Sequence, residues 1–63
     1  MFTCKIKTGG AAYRDENGDG YDRYNHELIR NLKEIISKME RGEGNGYIID
    51  INGNKVGTWN IEE

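Results

Sequence analysis

The sequence predicts a small α+β domain: one amphipathic helix packed on a three-stranded sheet, in the order β-α-β-β. Three observations predict it. Residues 2–8 alternate apolar and polar with period two, residues 25–41 carry apolar side chains at helical spacing, and residues 46–62 read as two strands joined at Asn52-Gly53. With 63 residues the chain is one domain. A chain of about 60 residues buries only about 60% of the surface its unfolded form exposes, so such a domain needs a further stabiliser.

In the first strand, Phe2, Cys4 and Ile6 point one way and Thr3, Lys5 and Lys7 the other. That alternation describes a half-buried strand. It stops at Thr8-Gly9-Gly10, where glycine permits a sharp turn. Residues 9–24 form a polar loop rich in Gly, Asp and Asn, within which Ala11-Ala12-Tyr13 reads equally as strand continuation or packed loop. Asn25 or Asp22 can cap the helix by accepting from the free N–H groups of its first turn.

The helix spans 25–41. Leu28, Leu32, Ile35, Ile36 and Met39 form one apolar stripe, expected to face the sheet, and Ile29 widens it. Glu34 and Lys38 stand in the favourable i, i+4 order. Arg41 complements the C-terminal dipole, and Gly42 suits the left-handed position past the end.

Asn-Gly between two apolar runs is a strong hairpin signal, because both residues tolerate positive φ. Two registers are open. A two-residue Asn52-Gly53 turn pairs Ile51 with Asn54 and puts Trp59 on the face of Ile48. A three-residue Asn52-Gly53-Asn54 loop pairs Ile51 with Lys55 and puts Trp59 beside Tyr47 and Ile49. The second gathers more apolar area on one face and is the expected one; a slip of one residue would exchange the faces. Lys5, Lys7, Ile48 and Val56 would then lie near solvent on the other face, where a partner could cover them.

The net charge is −2, with 32% charged residues and no basic run. The electrostatic footprint of a general DNA or RNA binder is therefore missing. One cysteine, Cys4, excludes an internal disulfide and reads as a small core residue of a cytoplasmic protein. No run is long and apolar enough for a membrane span. A homo-oligomer or a bound ion is the expected stabiliser.

Two segments, Lys5-Ile6-Lys7-Thr8-Gly9-Gly10-Ala11-Ala12-Tyr13 and Asp50-Ile51-Asn52-Gly53-Asn54-Lys55-Val56-Gly57-Thr58-Trp59, flank the helix. This arrangement resembles a group of short, uncharacterised proteins of phages, prophages and mobile elements of Gram-positive bacteria. They share a KTGNAAF-like first segment and a DINGNxVG-like hairpin. Here Gly10 stands where the group has Asn, and residues 15–24 form an enlarged acidic loop. The resemblance implies a phage setting, in which small proteins counter host defence, but carries no activity to transfer.

Three candidate sites follow from the residues. Thr8-Gly9-Gly10, with Lys5 and Lys7 upstream, could present backbone N–H groups as an anion nest for the phosphate of a small nucleotide. Tyr13, Tyr21 and Tyr24 could stack on its base between subunits or contact a protein. The loop Asp15-Glu16-Asn17-Gly18-Asp19-Gly20 matches the first half of an EF-hand-type calcium loop, with Asp15, Asn17, Asp19 and the Tyr21 carbonyl as ligands. The bidentate Glu of position 12 is replaced by His26, so a solvated strand-to-helix loop is the simpler reading.

No nucleophile-histidine-acid set is visible, since the lone serine, Ser37, is mid-helix, so no enzyme and no catalytic residue is expected. The leading expectation is a non-enzymatic, homo-oligomeric binding protein that sequesters a small nucleotide signal in the host cytoplasm. The alternatives are an inhibitor of a host protein, acting through the acidic, tyrosine-bearing loop, and a calcium-stabilised structural module.

Overall fold

The computed structural model describes residues 1–14, 20 and 25–62. Its elements are β1 (Phe2–Ile6), a 3₁₀ turn (Ala11–Tyr13), α1 (His26–Glu40), β2 (Asn45–Ile49) and β3 (Lys55–Ile61). The sheet is antiparallel with β3 in the centre, β1 and β2 at its edges, and α1 covering one face. This is the expected β-α-β-β domain. Pairing of the first strand continues one residue past β1, since the Lys7 N–H donates to the Val56 carbonyl at 2.7 Å.

The helix ends as its sequence dictates. Gly42 takes φ +89°, its N–H reaches the Met39 carbonyl, and the Glu43 N–H reaches that of Lys38. These two bonds form a Schellman motif, which satisfies carbonyls the last turn leaves open. The other end departs from expectation. Asn25 stands at the N-cap position in the left-handed region, φ 53° and ψ 35°, and its side chain caps nothing. Asp22 lies outside the described residues.

The face that α1 presents to the sheet is rotated from the predicted stripe. Glu27, Asn31 and Ile35 are buried, whereas Ile29, Leu32 and Ile36 stay exposed. Polar chemistry explains the rotation. Glu27 and Asn31 find partners under the helix that their burial requires, and the apolar flank is left to the side. Glu34 likewise pairs with Arg30 at 2.5 Å rather than with Lys38.

The hairpin corrects the expected register. Its loop has three residues, but they are Ile51-Asn52-Gly53, closed by the Asp50 N–H donating to the Asn54 carbonyl at 2.8 Å. The Gly53 N–H donates to the Asp50 carbonyl, and Gly53 adopts φ +85°. A turn followed by one left-handed residue is a common three-residue hairpin loop. Ile49 then pairs with Lys55, but Ile48 pairs with Gly57, which leaves Val56 as a bulge. Past the bulge, Gly46 pairs with Trp59, the register of the two-residue alternative.

The bulge therefore reassigns the faces. Ile48, expected near solvent, joins Trp59 and Ile35 in the core, with Cys4, Ile6, Met39 and Val56 packed around them. Tyr47, Ile49 and Ile51, expected inside, are exposed. Gly46 lies beneath the indole: a Cβ there would stand 3.0 Å from Trp59 Nε1, so the ring would have to shift by a few tenths of an ångström.

Candidate functional site

The outer face of the sheet, away from α1, carries a group of cationic side chains. Lys5 pairs with Thr58, and Thr58 pairs with Tyr47, so these three form a row across the sheet. Lys7 follows on the Lys5 side. The bulge turns Val56 inward against the core and leaves a concavity of about 410 Å³, lined by Lys5, Ile6, Lys7, Lys55, Val56, Gly57 and Thr58. Bulges commonly redirect neighbouring side chains in this way.

The electrostatics of this concavity are one-signed. Three lysines line it, mostly through their aliphatic stems, and no Asp, Glu or His does. Lys55 Nζ sits 4.0 Å from the centroid of the Tyr47 ring, a cation–π contact. Lysine binds phosphate as a mobile point charge, and three in one concavity favour a polyanion. Thr58 adds a hydroxyl, and the exposed Tyr47 ring adds an apolar face. The site can hold an anionic group beside an aromatic ring.

The predicted phosphate segment divides. Lys5 and Lys7 line the concavity, and Thr8 lies just beyond it, half-buried. Gly9 and Gly10 do not form a nest. A nest needs alternation into the left-handed region, whereas Gly10 is extended at φ −79° and ψ 172°, and positive φ occurs among the described residues only at Asn25, Gly42 and Gly53. Nothing in the sequence singles out Lys55. Its place beside Lys7 depends on the bulge, which no residue pattern announces.

Tyr13 is also placed differently. It is 2% exposed, and its hydroxyl donates to Asn31 Oδ1 at 2.6 Å, so it is a structural anchor rather than a stacking surface. Tyr21 and Tyr24, and the calcium candidates Asp15, Asn17, Asp19 and Tyr21, lie outside the described residues. Among the described residues no group of three or more His, Cys, Asp or Glu could hold a metal ion, and no helix is long and apolar enough to cross a membrane.

A second polar network fixes the hairpin against α1. Glu27 accepts from Arg30 Nε at 2.7 Å, from Arg30 Nη2 at 2.8 Å and from the Ile51 N–H at 2.8 Å. Arg30 also donates to the Ile49 carbonyl at 3.1 Å. Asp50 Oδ1 accepts from the Asn52 and Asn54 N–H groups at 2.9 and 2.8 Å, which closes the loop on itself. The Arg30 guanidinium holds the Glu27 carboxyl below its ordinary value, and the Asn54 N–H does the same for Asp50. Asp50 thus closes the turn on itself, and Glu27 and Arg30 dock it onto α1 through the Ile51 N–H and the Ile49 carbonyl.

No family model, no curated protein and no solved structure matches the chain.

Proposed function

We propose that the chain is a non-enzymatic binding protein that captures a small phosphorylated ligand, of the nucleotide class, on the outer face of its sheet. The observation that supports this reading is that Lys5, Lys7 and Lys55 line one concavity that no carboxylate lines. Phosphate oxygens would meet these ammonium groups and the Thr58 hydroxyl. A base would lie on the exposed ring of Tyr47, which takes the part first expected of Tyr13.

The resemblance to short proteins of phages and mobile elements supports the biological setting. There the protein would act in the cytoplasm of a bacterial host, as a homo-oligomer, withdrawing a nucleotide signal on which host defence depends. Sequestration needs affinity and copy number but no turnover.

The test is native mass spectrometry of the protein purified from bacteria, repeated after addition of ATP as a probe. The expected result is an adduct of nucleotide size, weakened about 10- to 100-fold by Lys55→Glu or Lys5→Glu, the worth of one charge-assisted bond. A protein that takes up no adduct, or that binds the probe equally well in both variants, would overturn it.

A further inference from the structure

We infer that α1 pairs with α1 of a second copy, antiparallel, through its uncovered apolar flank. The flank has a specific spacing. Ile29, Leu32 and Ile36, followed by Met39, which is partly buried against its own core, stand at intervals of three, four and three, the repeat of a coiled-coil seam. Ile29, Leu32 and Ile36 are 44%, 41% and 55% exposed in the single chain. The intrachain packing that should hide a helix's apolar stripe instead covers Glu27, Asn31 and Ile35.

Two observations favour a second copy as the occupant. First, the seam is self-complementary. In an antiparallel pair, Ile29 meets Met39 of the second copy and Leu32 meets its Ile36, with the same contacts repeated by the twofold axis. Second, the charges agree. Glu40 closes α1, where it opposes its own helix dipole. The antiparallel pair brings it to the positive N-terminal turn of the second helix. Lys33 meets its own copy near the axis, where its long stem can turn to water.

The flank lies on the helix, across the sheet from the lysine concavity, so pairing leaves that face open. Pairing of this kind does not depend on any ligand.

Sedimentation velocity on the full chain tests it. The wild type is expected at twice 7.2 kDa, and Ile36→Glu at the single mass with Trp59 fluorescence and circular dichroism retained. Leu32→Lys is expected to be monomeric as well. Mixing the two variants should restore the dimer, because position 36 of one chain faces position 32 of the other. A monomeric wild type, a dimer that survives Ile36→Glu, or a mixture that stays monomeric would overturn the proposal. Dimerisation that is lost with Tyr47→Glu instead would place the interface on the sheet and overturn it too.

Discussion

Gly57 lies so close to the backbone of Lys5 that no side chain fits between them: a Cβ on Gly57 would stand 1.9 Å from the Lys5 carbonyl oxygen. Here the bulged central strand presses against the edge strand that carries two of the three pocket lysines. The glycine is required by this approach and not by its backbone angle.

Gly57→Ala should therefore push β1 from β3. Overpacking of this kind costs about 1–3 kcal/mol when the structure can yield, and backbone against backbone yields little. In so small a domain that is a large share of the total stability. Urea unfolding followed by Trp59 fluorescence should show a midpoint well below wild type. An unchanged midpoint would mean that Ile6 does not pair with Gly57 and that β1 meets β3 in some other register.

Glu27→Gln keeps the shape but removes the charge that receives Arg30. Hydrogen bonds to charged groups are worth roughly 1.5–3 kcal/mol, and Arg30 is part-exposed, so the expected loss is at the low end, about 1.5 kcal/mol. Tyr13→Phe takes the donor from the buried Asn31 Oδ1 and should cost about 1–3 kcal/mol. Both effects can be read from the same denaturation curves. If Glu27→Gln were neutral, the docking of the hairpin loop by Glu27 would be wrong.

Acid should weaken the fold through the same carboxylates. Glu27 and Asp50 both titrate lower when folded than their ordinary values of 4.5 and 3.8. A depressed folded value gives stability that is present above the unfolded value and is lost as pH falls through the folded one. Thermal midpoints should thus hold level from neutral pH down to about 5 and fall below about 4.5. Glu27→Gln should flatten that fall. A midpoint that declined on raising the pH from 5 to 7 would contradict the assignment.

Much of the architecture was legible in the residues. Period two marked β1, helical spacing and Gly42 marked α1 and its end, and Asn52-Gly53 marked the hairpin. The faces were not legible, for a physical reason. Apolar spacing predicts which side of a helix could be buried, but the buried side here is chosen by Glu27 and Asn31, whose partners come from the hairpin backbone and the 3₁₀ turn. Likewise, one bulged residue, Val56, moved Ile48 inward and Tyr47 outward. Of the candidate site, Lys5 and Lys7 were visible on one face of a strand, whereas Lys55 and Thr58 join them only through strand pairing between the two ends of the chain.

The most direct measurement is a titration of the isotopically labelled protein with inorganic pyrophosphate, followed by amide chemical shifts. Capture of phosphate on the outer sheet face predicts saturable shifts concentrated at Lys5, Lys7, Lys55 and Thr58, weakening as salt screens the lysines. Shifts that never saturate, or that gather at residues away from the outer sheet face, would contradict it.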